Sequence, residues 1–192
     1  LDKLIEAYKS PKMFKFLHIP LQAGSNEVLK AMNRKYTIEQ FLHIIQRFRK
    51  EIPGITISTD IIVGFPTETK EQFQETLDIM KKARFDVVNI SQYSPREGTI
   101  VARMKGITNR YVKERSREVK RTNESIIMEI NQKWVGWEGK ILIDEQGKDG
   151  TFVGRNFAYK PIILKGNLRL GSIVNVAIEK ATTYDLHAKV IR

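Results

Sequence analysis

The chain has 192 residues, no cysteine and a formal net charge of +11. This length allows one large domain or two small ones, and the lack of cysteine excludes disulfides, zinc–thiolate sites and cysteine-ligated iron–sulfur clusters within the chain. No apolar run is long enough to span a membrane and no signal peptide is visible, so we expect a cytoplasmic protein. The basic charge balance favours a nucleic-acid partner, although an organism rich in lysine and arginine would also account for it.

Strand and helix patterns alternate over the first 91 residues. The spacing of apolar residues predicts, in chain order, a helix at 2–9, a strand at 14–20, helices at 25–33 and 37–52, a strand at 57–63, a helix at 70–84 and a strand at 85–91. The order β-α-β-α-β implies a parallel sheet with right-handed crossovers.

The stretch at 57–69 organises this part of the chain. A buried parallel strand ends at Gly64 and Pro66, and residues 67–69 cap the helix that follows. Asp60 interrupts the apolar run. It is explained either as a capping or turn carboxylate, or as a ligand-binding group, because α/β sheets bind ligands at the carboxyl ends of their strands.

A long basic helix is predicted at 109–134. The charged side chains are those of a solvated surface helix or of a stripe that faces phosphates, and the sequence leaves both interpretations open. The basic residues are Arg110, Lys113, Arg115, Arg117, Lys120 and Arg121.

From Gly136 the pattern changes to short alternating strands separated by glycine turns. Five strands in so short a segment predict a small closed barrel resembling an OB-fold, which is a frequent nucleic-acid platform. We therefore predict two domains, 1–130 and 131–192. The predicted strands are 139–144, 151–155, 159–164, 173–181 and 186–191.

Polar groups follow the predicted parallel strands. Gln22, Asp60 and the turn at 93–96 all lie at or near strand ends, and Arg34 follows the helix that leaves the Gln22 loop. A carboxylate and an amide suit ribose hydroxyls, and a guanidinium suits a carboxylate. This predicts a mouth that binds a charged, hydroxyl-rich molecule but does not define a reaction. The widely spaced histidines predict no metal site, and His18 is interpreted as a core histidine.

Four sequence blocks carry a family resemblance: HIPLQAGSN at 18–26, MNRKYT at 32–37, TDIIVGFPTET at 59–69 and YSPREGT at 93–99. In order and spacing they resemble the radical-SAM methylthiotransferases. The tail, with VGRN at 153–156 and GSIV at 171–174, resembles the TRAM domain that ends those enzymes. The motif QYSPR at 92–96 is most similar to that of the archaeal and eukaryotic branch, which modifies threonylcarbamoyladenosine next to the tRNA anticodon.

The resemblance implies a fold. Residues 1–130 are expected to hold the last three strands and helices of an open, partial TIM-like radical-SAM barrel plus the long basic helix. Residues 131–192 are expected to form the TRAM-like barrel.

The resemblance also implies roles for individual residues. Gln22 and Asp60 match positions that contact the ribose of S-adenosyl-L-methionine (SAM), and Arg34 matches one that pairs with its carboxylate. Gly64 is expected to let the backbone approach the adenine, with Ser94 and Arg96 lining the mouth. The expected contacts of the tail with an anticodon stem-loop are Arg155, Asn156 and Lys160.

The implied full-length enzyme attaches a methylthio group to adenine C2 in tRNA, using SAM and two 4Fe-4S clusters. In the family the cluster cysteines lie ahead of the His18 block. Their absence here fits a carboxyl-terminal fragment that binds RNA without catalysing, and that self-associates through the edge of its truncated barrel. The alternatives are a non-catalytic RNA-binding module, or an enzyme acting on isopentenyladenosine in tRNA or on an aspartate of a ribosomal protein.

Overall fold

The computed structural model describes residues 1–95, 97–98, 100–104 and 106–191. The chain forms two compact units. The first unit comprises Leu1–Leu17, Phe48–Thr56 and Ile127–Arg192, and the second comprises His18–Arg47 and Ile57–Ile126. The predicted division of the sequence into 1–130 and 131–192 stays a prediction.

The amino-terminal two thirds of the chain alternate between strands and helices, as the sequence predicts. In chain order the elements are α1 (Asp2–Tyr8), β1 (Phe16–His18), α2 (Asn26–Ala31), α3 (Ile38–Glu51), β2 (Thr56–Val63), α4 (Lys70–Ala83), β3 (Val87–Gln92), a short 3₁₀ helix (Ile100–Arg103) and α5 (Asn109–Gln132).

The first three strands form one sheet in the order β1-β2-β3. Strands β2 and β3 are parallel, with Asp60 paired to Asn89 and Ile61 to Ile90. Since helix α4 lies between these strands in the sequence, the predicted β-α-β connection is confirmed. The predicted self-association through the sheet edge stays a prediction.

Local sequence explains where helix α4 begins. The Thr69 hydroxyl accepts a hydrogen bond from the Gln72 backbone N–H, and the Gln72 Oε1 accepts one from the Thr69 backbone N–H. This capping box satisfies two donors that a helix start leaves without partners. The apolar face predicted for the helix is buried, including Phe73, Leu77 and Met80.

The carboxyl-terminal segment forms a closed barrel in the order β4-β5-β6-β8-β7, with β4 also paired to β7. Its interior is aliphatic and includes Ile141, Ile143 and Ile162. The predicted OB-like barrel is therefore confirmed. Its strands are β4 (Glu138–Gln146), β5 (Thr151–Arg155), β6 (Pro161–Lys165), β7 (Ile173–Ala181) and β8 (Leu186–Val190).

Strand β6 begins two residues later than predicted. Tyr159 has a φ of 60°, in the left-handed region, so the chain turns there and cannot continue an extended strand. No helix in the described part of the chain has the length and apolar character that crossing a membrane requires.

Candidate functional site

A cavity of about 740 Å³ lies in the second unit, where strands β2 and β3 end. Its volume falls within the range of roughly 300–1,000 Å³ that is usual for small-molecule sites. Four of the predicted site residues line it: Gln22, Arg34, Asp60 and Ser94. The structure thus brings together side chains that the sequence places up to 72 positions apart.

Gln22 is held against strand β2 by its backbone. Its N–H donates to the Asp60 carbonyl at 2.8 Å, and its carbonyl accepts from the Ile62 N–H at 2.9 Å. Its φ of 72° is in the left-handed region, which is uncommon for a residue other than glycine. The sheet therefore fixes the direction of the Gln22 side chain. The residue as a whole is 6% exposed.

Arg34 reaches the same cavity because helix α2 ends in a Schellman turn. Asn33 adopts a left-handed φ of 58° and donates to the Lys30 carbonyl, and the Arg34 N–H donates to the Leu29 carbonyl at 2.8 Å. The turn directs the chain back across the helix end. As a result the Arg34 Nη2 donates to the Gln22 Oε1 at 3.0 Å.

Asp60 belongs to a row of polar side chains that crosses the three strands. Its Oδ1 accepts from the Asn89 Nδ2 at 2.9 Å, and its Oδ2 lies 3.2 Å from the His18 Nε2. The other ring nitrogen of His18 lies 3.0 Å from the Ser58 hydroxyl. Asp60 is therefore neither a helix cap nor a turn residue, and its carboxylate is oriented from both sides.

His18 corrects a prediction. It was interpreted as a core histidine, yet its side chain is 42% exposed on the polar row beside Asp60. Asn89 was missed altogether. Alternation along the strands could have found both residues, because Leu17 is buried between Phe16 and His18, and Asn89 pairs with Asp60 in the register.

Aromatic and hydroxyl groups complete the rim. The Tyr93 ring meets the Phe65 ring edge-on at 5.4 Å, and both residues line the cavity. The Tyr36 hydroxyl donates to the carbonyls of Pro20 and Leu21, both at 3.0 Å, which fixes the loop before Gln22. Arg96, the other predicted rim residue, lies outside the described residues.

Gly64 has a role in packing that the sequence did not reveal. Its φ is 81°, and a Cβ built there would lie 2.7 Å from the Val112 Cγ2 of helix α5. Gly64 does not line the cavity. The need for glycine at this position follows from the left-handed turn and the close approach of helix α5.

A buried ion pair lies next to this turn. The Glu68 carboxylate contacts the Arg115 guanidinium, which also lies 5.1 Å from the Phe73 ring centre. Their side chains are 1% and 13% exposed. Burial raises the pKa of Glu68 above its usual value, and the neighbouring guanidinium opposes part of that rise. Arg115 is thus a packing residue, unlike the other basic residues of helix α5.

In the barrel, the loop at 155–160 carries the three residues that were predicted to contact RNA. Asn156 is 1% exposed, and its Oδ1 accepts from the backbone N–H groups of Ala158 and Lys160 at 3.0 and 3.1 Å. Lys160 is 5% exposed, and its Nζ donates to the Asn131 Oδ1 at 3.3 Å. Neither side chain is on the surface. Their predicted contact with RNA stays a prediction.

Arg155 is half-buried and already engaged. Its guanidinium donates to the Asp144 carboxylate at 3.2 Å and lies 4.8 Å from the Tyr159 ring centre. The same loop packs on the rest of the first unit, because the Lys15 N–H donates to the Phe157 carbonyl and the Thr56 hydroxyl donates to the Ala158 carbonyl. These hydrogen bonds connect the loop to other segments of the same unit.

Comparisons with known proteins agree with the sequence motifs. The model described as the Radical SAM superfamily matches residues 1–79, and the TRAM domain model matches residues 132–191. A Pyrococcus horikoshii protein named "probable threonylcarbamoyladenosine tRNA methylthiotransferase" is 47% identical over 181 residues, which is 92% of this chain. The "tRNA-2-methylthio-N(6)-dimethylallyladenosine synthase" of Thermotoga petrophila is 39% identical over 99% of this chain. The predicted kinship with the radical-SAM methylthiotransferases is confirmed.

The chain spans 43% of the Pyrococcus methylthiotransferase and 44% of the Thermotoga protein. A solved structure of coproporphyrinogen III oxidase from Escherichia coli, a Radical SAM enzyme, aligns with 98% of this chain and 48% of its own, with a TM-score of 0.56 and 15% identity. At that identity the likeness concerns the fold alone. It supports the predicted partial radical-SAM barrel.

Proposed function

We propose that the protein acts in tRNA methylthiolation as part of a full-length radical-SAM methylthiotransferase, a cytoplasmic transferase enzyme. One observation carries the proposal: Gln22, Arg34 and Asp60 line one cavity at the strand ends of a chain that matches the Radical SAM and TRAM models. In this proposal the cavity binds SAM and the complete enzyme binds a tRNA anticodon stem-loop.

The donor set fits SAM. The Arg34 guanidinium is suited to the carboxylate of the ligand, because planar donors bind both carboxylate oxygens. The Gln22 amide and the Asp60 carboxylate are suited to ribose hydroxyls, and Ser94 is available at the rim. Bound SAM supplies the radical chemistry of this family, together with two 4Fe-4S clusters. This chain has no cysteine to hold a cluster, so we expect it to bind ligands without catalysing.

The proposed target is C2 of threonylcarbamoyladenosine next to the anticodon. The name and the 47% identity of the Pyrococcus relative support this choice. A second candidate is the dimethylallyladenosine of tRNA, which is favoured by the name of the Thermotoga relative. The two candidates differ in the substituent on N6 of the same base.

Titration of the folded chain with SAM, followed by calorimetry, tests the proposal. We expect saturable binding that Asp60→Asn or Arg34→Gln weakens by roughly tenfold, because each change removes a charge-assisted hydrogen bond. Asp78→Asn is the matched control, since it removes an exposed carboxylate of helix α4 that lies outside the cavity lining. Binding of anticodon stem-loop RNA without any SAM binding would instead support the non-catalytic module.

A further inference from the structure

One face of helix α5 carries five exposed cations: Arg110, Lys113, Arg117, Lys120 and Arg121. At 3.6 residues per turn they lie within an arc of about 100° and extend along about 16 Å of the helix axis. The exposed carboxylates of Glu114 and Glu118 lie beside this arc. Between residues 110 and 121 the cations are therefore concentrated on one side of the helix, and the five cations are called the basic face below.

The basic face points away from the buried stripe of the helix. Val119 and Ile126 on that stripe are 0% and 6% exposed. Ser116 lies between the two faces, and its hydroxyl accepts from the Gln92 Nε2 at 3.3 Å. Gln92 lines the cavity. Lys113 and Lys120 are the helical neighbours of Ser116 at i−3 and i+4, so the basic face begins beside the cavity rim.

Much of this charge has no counter-charge. Arg110 pairs with Glu114 at 2.9 Å, and Lys120 lies 3.8 Å from Glu124. Within the described residues Lys113 and Arg117 form no ion pair. Arg110, Lys113 and Arg117 line a cavity of about 420 Å³ that is open to solvent. A linear array of cations along such an open surface suits a chain of phosphates better than a single small anion.

We propose that the basic face of helix α5 binds the phosphate backbone of the RNA whose base is presented to the cavity. The inference rests on the proposed function. It is favoured because the five cations of the basic face are exposed, whereas Asn156 and Lys160 of the barrel are buried. Contacts to phosphates position an RNA without reading its sequence.

The test is the affinity of the chain for an anticodon stem-loop RNA over a series of salt concentrations. The charge-reversal variant Lys113→Glu/Arg117→Glu should bind at least about tenfold more weakly than the wild type, with a salt dependence shallower by about 0.7 per lost contact. For a stem-loop with a scrambled loop sequence, the affinity of the variant should fall below that of the wild type by the same factor, because phosphate contacts do not depend on the bases.

The matched control is Lys81→Glu/Lys82→Glu on helix α4, which changes the net charge equally at two exposed lysines. The neutral variant Lys113→Gln/Arg117→Gln keeps the test decisive if charge reversal unfolds the helix, as monitored by circular dichroism. An equal loss in the control variant, or no loss in the folded basic-face variants, overturns the inference and leaves the proposed function standing. A wild-type chain that binds SAM but no RNA also overturns the inference and leaves the proposed SAM site standing.

Discussion

The cavity rim and the barrel loop at 155–160 look alike in the sequence and differ in the structure. Both are short polar stretches at the ends of strands, and both were predicted to face a ligand. At the rim, Gln22, Arg34 and Asp60 line a cavity. In the loop, Asn156 and Lys160 turn inward and bind backbone groups or Asn131.

The difference comes from topology. Carboxyl ends of parallel strands meet at one edge of a sheet, so polar residues there converge whatever their separation in sequence. A loop between antiparallel strands has no such rule, and its side chains point wherever the turn directs them. In this loop the left-handed Tyr159 and the two N–H groups captured by Asn156 set that direction.

The largest expected effect concerns the barrel loop. Asn156→Ala should lower the free energy of unfolding by about 2–4 kcal/mol, because it leaves two buried N–H donors without an acceptor. Urea unfolding followed by tryptophan fluorescence measures this directly, since Trp134 and Trp137 both pack against the barrel core.

Asn167→Ala, at an exposed loop asparagine, is the control and should cost less than about 0.5 kcal/mol. If Asn156→Ala kept full stability but lost RNA affinity, Asn156 would serve RNA binding and the loop would face a ligand as the cavity rim does.

A smaller effect is expected at Gly64, which lies near the rim but serves packing. Gly64→Ala should cost about 1–3 kcal/mol in urea unfolding followed by circular dichroism, from the left-handed φ and the clash with Val112. The double variant Gly64→Ala/Val112→Ala should cost less than the sum of the single variants, because it relieves the clash. Unchanged stability with lost SAM binding would assign Gly64 to the ligand instead.

The smallest effect is a pH dependence at Glu68. Because burial raises its pKa above the usual 4.5, the folded chain holds this proton at pH values where the unfolded chain has released it. The contribution of Glu68 to stability is therefore greatest below pH 4.5 and falls as pH rises through the raised pKa. The unfolding free energy of wild type minus that of Glu68→Gln should decrease over that window. A difference that grows with pH would show that Arg115 outweighs burial.

The sequence predicted the architecture well, because hydrophobic period and capping residues are local signals. Gln22, Arg34, Asp60 and Ser94 of the predicted set line the cavity and Gly64 does not, and the binding of SAM by these residues stays a prediction. It missed His18 and Asn89, which join the site through cross-strand register, and it did not foresee that Gly64 is required by helix α5. The packing of helix α5 against Gly64 depends on which elements meet, and no local pattern records that.

The hydrogen bond between Arg34 and Gln22 affects the free energy with which a ligand binds in the cavity. Gln22 is almost fully buried, and its Oε1 accepts from one of the five N–H donors of Arg34. A ligand that draws Arg34 away must also offer Gln22 a new partner, or an amide is left unsatisfied at a cost of about 1–3 kcal/mol. A carboxylate that binds the other N–H donors of Arg34 leaves the bond to Gln22 intact and avoids that cost. Ligands that add to the bond between Arg34 and Gln22 are therefore favoured over ligands that replace it.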